Sequence, residues 1–520
     1  MQNGKGACDP RRMGAADSLS PMDILNNLAI GFSVALTWAN LFYCFMGVLI
    51  GTLVGVLPGL GPAATISLLL PGTYHLSPTS AIIMLAGVYY GAQYGGSTTS
   101  ILVNIPGEAA SVVTCLDGYQ MARNGRAGAA LGIAAFGSFI AGTLGVLGLM
   151  VAAPPMARLA LDFGPPEYFS LIFLAFSLVT YLASGSVLKA IMMVATGVFL
   201  GTVGTDFITG DQRFSYGSLT LSDGIGLVPV VMGLFGIAEV LENLESQTDR
   251  RIPLQQKLRN LLPSRQDWKD SLPSIFRGAG IGFFLGILPG GGSIIASFAS
   301  YAIEKRVSKT PERFGRGAIQ GVAGPESANN AASSANFIPL MTLGIPANVV
   351  MALVLGALMI HGVRPGPGLI RENPHLFWGV ITSMYVGNVM LLILNLPLIG
   401  IWVRILSVPY RILFPLILLF CLVGVYSLNS NIWEIVIMVV FGVIGYFFRR
   451  ARYEAAPFIF ALVLGPILEN ALRQSLLMSE GSFGIFFTRP VSAILLLVGF
   501  TLFAIAALPW LRRKQLGDDF

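Results

Sequence analysis

The amino-acid sequence predicts an all-α polytopic membrane protein with about a dozen transmembrane helices. Its 520 residues are 54% hydrophobic and only 11% charged, whereas about a quarter of the residues of a soluble domain are charged. Four long stretches contain no Asp, Glu, Lys, Arg or His: residues 127–157, 376–403, 412–433 and 490–511. Because a helix needs roughly 20 apolar residues to span a bilayer, such stretches are long enough to cross it. The apolar runs are continuous rather than alternating, which favours helices over a β-barrel.

The charged residues indicate how the chain is divided. The formal net charge of +6 is typical of basic cytoplasmic loops in membrane proteins, so we do not expect nucleic-acid binding. We expect a polar, disordered N-terminal extension (1–21) before a natural start at Met22, and no cleavable signal peptide. The remaining segments are predicted as a first transmembrane repeat (22–241), a basic cytoplasmic linker (242–272), a second repeat with additional C-terminal helices (273–511), and a short basic-then-acidic tail (512–520). The scattered cysteines and histidines predict neither a disulfide framework nor a metal site, and no cofactor is expected.

Two short motifs recur in the two halves of the chain. Leu57-Pro58-Gly59 matches Leu288-Pro289-Gly290 at an offset of 231 positions, and Gly55 and Gly61 then meet Gly286 and Gly292. Further on, Asn104-Ile105-Pro106-Gly107 resembles Gly344-Ile345-Pro346-Ala347 at an offset of 240, so about nine residues are inserted between the second pair of motifs. The ordered matches predict two duplicated repeats, which we expect to be inverted relative to each other.

The Leu-Pro-Gly motifs predict broken or re-entrant helices. Proline removes a main-chain donor and glycine permits sharp turns, and exposed peptide groups are tolerated at membrane depth only where they are buried in protein or line a polar cavity. Breaks at matching points of two halves indicate the binding site of a secondary transporter. The structural alternative is that glycine and proline only permit close packing and kinks.

Polar side chains crowd residues 89–119 and 324–346, beside the Ile-Pro motifs. Such groups are costly in hydrocarbon and by default mark a pathway. Their neutral oxygens suit a small cation such as Na⁺, and free amides at a helix N-terminus suit a carboxylate. We favour a functional role for Glu108 and Glu326. For Asp117 a site role and a loop position stay open, and His361 and Arg364 are expected to anchor a helix end.

Four long motifs, at 54–65, 94–128, 288–298 and 324–346, closely resemble the large membrane subunit of the tripartite tricarboxylate transporters, the TctA family. The resemblance implies a multi-pass protein of the bacterial inner membrane. It also implies two partners, a small membrane subunit (TctB-like) and a periplasmic solute-binding protein (TctC-like). The family is thought to import carboxylates such as citrate, driven by an ion gradient and without ATP, so the chain is not expected to be an enzyme.

The resemblance and the motifs together give a set of site residues. For substrate binding the set is Pro58, Gly59, Gly61, Pro289, Gly290, Gly292, Ser97 and Thr98. For the coupling cation, Na⁺ or H⁺, the set is Asn104, Glu108, Glu326, Asn329, Asn330 and Ser333. We expect the half-helix N-termini after the two Pro-Gly steps to share the carboxylate groups of the substrate. The rival functions are a channel, a non-transporting scaffold subunit, and an intramembrane protease that would use Asp117 and Asp206.

Overall fold

The computed structural model describes residues 21–57, 61–183, 186–206, 208–245, 261–290, 292–405 and 410–507. Over these residues the protein is helical apart from its connections and one two-stranded antiparallel ribbon, which confirms the all-α class. The ribbon pairs β1 (Gly204–Thr205) with β2 (Gln212–Arg213). The predicted N-terminal extension, the middle of the predicted linker and the C-terminal tail lie outside the described residues.

The described residues up to position 245 form eleven α-helices: α1 Pro21–Ala35, α2 Trp38–Val56, α3 Pro62–Thr73, α4 Pro78–Val103, α5 Val112–Met121, α6 Ala127–Leu161, α7 Pro165–Tyr181, α8 Val187–Gly201, α9 Leu219–Ser222, α10 Leu227–Val231 and α11 Ala238–Glu245. The second part contains thirteen within the described residues: α12 Arg265–Gly286, α13 Gly292–Val307, α14 Gln320–Ala335, α15 Phe337–Leu343, α16 Val349–Ile360, α17 Leu369–Glu372, α18 Pro374–Asn395, α19 Ile399–Ile405, α20 Tyr410–Asn429, α21 Ile432–Arg450, α22 Ala455–Met478, α23 Ile485–Thr488 and α24 Pro490–Ala507. Short 3₁₀ turns (Ala109–Ser111, Pro311–Arg313) and π-helical turns (Ala122–Arg126, Met232–Ile237) join or extend them.

The described residues include five helical segments long and apolar enough to cross a membrane: Trp38–Val56, Ala109–Leu161, Pro374–Asn395, Ile432–Arg450 and Ala455–Met478. Four shorter apolar segments accompany them: Val187–Gly201, Val349–Ile360, Ile417–Ser427 and Pro490–Ala506. The protein is therefore a polytopic membrane protein. The count of about a dozen transmembrane helices stays a prediction.

α2 and α4 pack closely and in parallel because glycines on α2 face the main chain of α4. A side chain at any of these glycines would lie 2.2–2.4 Å from a carbonyl oxygen of α4, in the pairs Gly47 with Met84, Gly51 with Val88, and Gly55 with Ala92. Small residues four apart are the usual means by which membrane helices approach each other closely. The pairing fixes the position of α4, which carries the polar residues Gln93, Ser97 and Thr98.

The same packing recurs between α12 and α14. The pairs that face each other there are Gly278 with Gly324, Gly282 with Ala328, and Gly286 with Ala332, and a side chain at each glycine would come within 2.9 Å of the α14 main chain. Each α12 residue lies 231 positions after its α2 counterpart, and each α14 residue lies 240 positions after its α4 counterpart. Both offsets are those of the sequence motifs.

Contacts between α5 and α14 define how the two halves are oriented. Thr114, early in α5, contacts Glu326 in the middle of α14, whereas Asp117, later in α5, contacts Ala318 just before α14 begins. The two helices are therefore antiparallel. α4 is also antiparallel to α14, because Ser97 contacts Glu326 whereas Tyr89, earlier in α4, contacts Asn336 at the end of α14.

Ion pairs at helix ends identify two faces of the molecule. We define the linker side as the face where α11 ends and α12 begins. Arg126, before α6, pairs with Asp267 in the first turn of α12, and Arg449 at the end of α21 pairs with Glu239 in α11. On the opposite side Arg489, before α24, pairs with Glu167 in the first turn of α7.

Candidate functional site: a polar centre between the two halves

The two Ile-Pro motifs interrupt helices with the same backbone geometry. α4 ends at Asn104 and α15 ends at Gly344, and both residues are left-handed, with φ of 59° and 70°. Four positions later an extended residue, Glu108 or Asn348, caps the next helix with its side-chain oxygen. Each break therefore places a polar side chain, Glu108 or Asn348, at the start of the next helical segment.

Glu108 lies where the first Ile-Pro break meets α14. Its Oε1 accepts a hydrogen bond from Nδ2 of Asn329 over 3.1 Å, and its Oε2 accepts one from the main-chain N–H of Ala110 over 3.0 Å. Gln93 of α4 faces the same carboxylate, and with its amide nitrogen turned towards Glu108 it donates to Oε1 over 2.8 Å. Amides from both halves of the chain therefore bind this carboxylate.

Glu326 of α14 is the second carboxylate of the centre, and it is only 1% exposed. Its Oε2 accepts a hydrogen bond from the hydroxyl of Ser97 over 2.5 Å, and its Oε1 accepts one from the hydroxyl of Thr114. Both hydroxyls belong to the first half, so this carboxylate, too, has partners across the interface.

Tyr89 forms a third cluster, without a carboxylate. Its hydroxyl accepts hydrogen bonds from Nδ2 of Asn336 over 2.8 Å and from Nδ2 of Asn348 over 2.9 Å. The hydroxyl also lies 3.2 Å from Oγ of Ser293, which in turn lies 3.2 Å from Oγ of Ser333. Tyr89 thus links α4 to the first turn of α13, to α14 and to the second Ile-Pro break.

The first Leu-Pro-Gly break is described only at its end. Pro58 and Gly59, both predicted substrate contacts, lie outside the described residues. Gly61 precedes the first turn of α3, and a side chain added to Gly61 would have open space around it. The N-terminus of α3 is therefore not blocked at Gly61.

The second Leu-Pro-Gly break is a turn between α12 and α13. Gly290, which follows Pro289, has a φ of +107° and donates its N–H to the carbonyl of Ala347 over 2.8 Å. Gly292 has a φ of +27°, and a side chain there would lie 2.9 Å from Oδ1 of Asn336. The second Leu-Pro-Gly break therefore touches the second Ile-Pro break, and α13 begins beside the Tyr89 cluster.

Other predicted site residues line the edge of this centre. Asn330 donates to Oγ of Ser138 over 2.7 Å. Thr98 lines a cavity of about 10 Å³ together with Ser97 and Ser138, a volume that is enough for about one water-sized species. Asn104 stands apart, since its side chain is exposed at the end of α4.

The electrostatics of the centre are unusual because the two carboxylates have no basic partner. Among the described residues, no lysine, arginine or histidine forms an ion pair with Glu108 or Glu326. An ionised carboxylate taken out of water without a counter-charge costs several kcal/mol even after relaxation. This cost applies most to Glu326, which is buried, and less to Glu108, which is half-buried. No group of three or more metal-ligating His, Cys, Asp or Glu side chains occurs in the described part of the chain.

The two aspartates of the protease alternative lie in separate clusters. Asp117 accepts hydrogen bonds from the loop before α14, whereas Asp206 pairs with Arg473 and lies 3.4 Å from Arg213. A catalytic pair of aspartates needs the two carboxyl groups close enough to share a proton. The structure gives Asp117 and Asp206 no common partner, so this arrangement does not favour the protease.

Sequence reasoning left several residues of the centre outside its predicted sites: Tyr89, Gln93, Thr114, Ser138, Ser293, Asn336 and Asn348. Asn348 could have been found from the sequence offset, because it stands 240 positions after Glu108, a predicted site residue. The same offset relates Tyr89 to Asn329. Tyr89 nevertheless stands in an apolar run, where a tyrosine resembles a core residue.

Most of the chain matches a known protein family. The Tripartite tricarboxylate transporter TctA family matches residues 41–460. The chain is 53% identical over 494 residues to a protein of Agrobacterium vitis named "Uncharacterized 52.8 kDa protein in TAR-I ttuC' 3'region", a match that covers 95% of this chain and 98% of that protein.

A second protein of Agrobacterium vitis, "Uncharacterized protein in TAR-II ttuC' 3'region", is 52% identical over 234 residues, which are 45% of this chain and 97% of that one. No solved structure matches the chain. Because the family match spans four fifths of the sequence and includes every motif that builds the polar centre, the chain belongs to the tripartite tricarboxylate transporter TctA family.

Proposed function

We propose that the chain is the large membrane subunit of a tripartite secondary transporter, which imports tricarboxylates or related carboxylates. A periplasmic solute-binding protein delivers the substrate, a small membrane subunit completes the complex, and a cation gradient, of Na⁺ in our proposal, drives uptake. Family membership supports the transporter class. The observation that carries the cation coupling is a pair of carboxylates held by uncharged donors only, the buried Glu326 and the half-buried Glu108.

The fold supports an inverted duplication. The α2–α4 and α12–α14 pairs share their glycine spacing, the two Ile-Pro breaks share their backbone conformation, and α5 runs antiparallel to α14. Inverted repeats with broken helices are typical of secondary transporters, whose binding sites lie at the repeat interface near the bilayer midplane. Alternating access follows if one half moves against the other about such an interface.

The coupling cation binds where the carboxylates face uncharged oxygens. At Glu326 these oxygens are the hydroxyls of Ser97 and Thr114. At Glu108 a bound cation requires the amides of Asn329 and Gln93 to turn their oxygens towards it, since their nitrogens face the carboxylate here. A monovalent cation supplies the missing positive charge in both places. Loading the site with cation then removes the cost of two uncompensated charges and favours the approach of an anionic substrate.

The carboxylate groups of the substrate bind at the N-termini of α3 and α13. Helix N-termini present free N–H groups and a positive dipole end to an anion. The first turn of α13 lies beside the Tyr89 cluster, and α3 begins next to open space at Gly61. Anion and cation would then lie close together and stabilise each other.

The orientation in the membrane follows from the positive charges. The linker side carries Arg126, Arg449 and the basic linker, so we assign it to the cytoplasm of a bacterial inner membrane. The opposite side, with the β1–β2 ribbon, then faces the periplasm, where the solute-binding protein docks.

The test is uptake of labelled citrate and a panel of other carboxylates into proteoliposomes that contain this chain, its small subunit and the binding protein. We expect accumulation above the external concentration only with an inward Na⁺ gradient and with the binding protein present. Downhill flux without accumulation would mean a channel. Absence of flux under every ion gradient, with all components folded, would mean a scaffold subunit.

A further inference from the structure

Asp117, which the transport mechanism does not use, lies at the end of α5 on the linker side and is fully buried. Its Oδ1 accepts three main-chain hydrogen bonds from the loop before α14: from Gly315 over 2.9 Å, and from Gly317 and Ala318 over 2.8 Å each. Its Oδ2 accepts a fourth from the hydroxyl of Tyr301 over 2.9 Å. One carboxylate of the first half is thus held by four donors of the second.

The loop is shaped for this carboxylate. Gly315 and Gly317 have φ values of +80° and +104°, which side-chain-bearing residues adopt only with strain. At Gly321, in the first turn of α14, an added side chain would lie 2.2 Å from Oδ2 of Asp117. Glycines at these three places allow the main chain to close around the carboxylate.

The loop that holds Asp117 is where the two halves of the chain differ. Four residues (74–77) separate α3 from α4, whereas twelve (308–319) separate α13 from α14. Most of the insertion that distinguishes the repeats therefore forms this loop. The counterpart of Asp117 at an offset of 240 is Ala357 in α16, which has no polar side chain. The contact thus exists on the linker side and has no equivalent on the opposite side.

We propose that Asp117 and the 313–318 loop form a latch that holds the polar centre closed towards the linker side. This inference rests on the proposed alternating-access function, and it concerns how access to the same site is regulated. The latch joins the end of the first half to the start of α14, the helix that carries Glu326 and Asn329. Opening towards the linker side separates these elements and breaks all four hydrogen bonds at once. With the latch closed, the transporter favours the form that is open to the opposite side.

The test measures accessibility rather than transport. A cysteine replaces Ala135, which lines the cavity beside Ser97 and Thr98, in a chain whose four native cysteines are removed, and a membrane-impermeant maleimide is added to either side of oriented vesicles. Hydrogen bonds to a charged acceptor are stronger than those between neutral groups. Asp117→Asn should therefore speed labelling from the linker side by about tenfold or more. Gly317→Ala should act in the same direction, because it strains the loop.

Two variants complete the design. Asp270→Asn removes the same charge from the linker side, where Asp270 only accepts a hydrogen bond from Gln266, and should label at the original rate. Tyr301→Phe removes one of the four hydrogen bonds and keeps the carboxylate, so it should increase the labelling rate by a smaller factor. It serves as the test if Asp117→Asn does not fold. Unchanged labelling in folded Asp117→Asn, or in both Gly317→Ala and Tyr301→Phe, would overturn the latch. The labelling assay needs neither substrate nor partner proteins. A negative labelling result would therefore overturn the latch without bearing on the proposed transport function, which the uptake assay tests.

Discussion

Asn329 of α14 donates a hydrogen bond to the carboxylate of Glu108, and a second hydrogen bond joins the positions that stand 240 residues away from these two. Asn348, 240 positions after Glu108, donates to the hydroxyl of Tyr89, which stands 240 positions before Asn329. In both hydrogen bonds the donor lies in the second half of the chain and the acceptor in the first. Because only the first of them involves a carboxylate, the polar centre is not symmetric about this crossing.

Replacing Tyr89 by phenylalanine should impair transport without unfolding the protein. The change leaves the amide N–H groups of Asn336 and Asn348 without their acceptor, and an unsatisfied buried donor costs about 1–3 kcal/mol. We expect carboxylate uptake to fall by about tenfold or more at equal protein amount. Tyr385→Phe is the matched control, since the Tyr385 hydroxyl bonds to the weak acceptor Sδ of Met150. Equal loss of uptake in both variants would mean that the Tyr89 cluster has no special role.

Removal of the hydroxyls that face Glu326 should weaken cation binding. Ser97→Ala and Thr114→Val each take one donor and one potential cation ligand from this carboxylate. We expect the Na⁺ concentration for half-maximal uptake to rise by about tenfold in either variant. Ser177→Ala serves as the control because Ser177 bonds only to a carbonyl within its own helix. An unaltered Na⁺ dependence in both site variants would rule out this placement of the cation.

The close packing of α12 on α14 should tolerate no side chain at Gly282. Valine at this position would collide with the carbonyl of Ala328, which lies 2.2 Å from the place of an added carbon. Overpacking costs about 1–3 kcal/mol or more when main chain must move. We therefore expect Gly282→Val to lower the melting temperature and the amount of protein in the membrane. Gly280 lies on the same helix with open space around it, so Gly280→Val should leave the melting temperature and the amount of protein unchanged. A comparable loss in Gly280→Val would mean that the lower helix propensity of valine, and not the collision, causes the effect.

Asp206 should stabilise the opposite side of the protein in a pH-dependent way. Hydrogen bonds from the main-chain N–H of Thr209, from Arg473 and from the main-chain N–H of Ile208 lower the pKa of Asp206 below its ordinary value. A lowered folded-state pKa stabilises the fold above the unfolded value, about 3.9, and this contribution disappears as the pH falls towards the folded value.

The measurement is the melting temperature of the wild-type protein and of Asp206→Asn between pH 3 and 7. We expect the wild-type protein to melt at a higher temperature than Asp206→Asn, by a difference that is constant above about pH 5 and shrinks below about pH 4. Asp211→Asn, an exposed position in the same hairpin, should behave like the wild type. A difference that grows on acidification would contradict the assigned sign.

Much of the architecture was predictable from local chemistry. Apolar runs gave the all-α membrane class, and the Ile-Pro motifs marked two breaks whose conformations match. Glu108, Glu326, Asn329 and Ser333 were predicted from their cost at membrane depth, and the structure brings them into the contacts of one polar centre.

Other features depend on contacts between the halves, which no local pattern reveals. Tyr89 joins the centre only because α4 crosses α13 and α14, and Thr114 does so only because α5 lies antiparallel to α14. Asn104 was predicted as a cation ligand from its neighbours, but its left-handed backbone ends α4 and leaves its side chain exposed. Asp117 could not be assigned because its partners, three main-chain N–H groups and the hydroxyl of Tyr301, stand about 200 positions away in the sequence.

The most direct test of cation-coupled transport uses the carboxylate that the proteoliposome screen identifies as the substrate. Its uptake is measured in parallel for the wild-type protein and for Glu326→Gln. The glutamine keeps the size of the side chain and removes the charge that the cation balances. Glu434→Gln, a substitution of a buried glutamate that bonds to Asn429 at the end of α20, controls for loss of a carboxylate. We predict that wild type and Glu434→Gln accumulate substrate under an inward Na⁺ gradient and that Glu326→Gln does not, at equal protein amount and thermal stability. Na⁺-driven accumulation of the same size in Glu326→Gln would contradict the account.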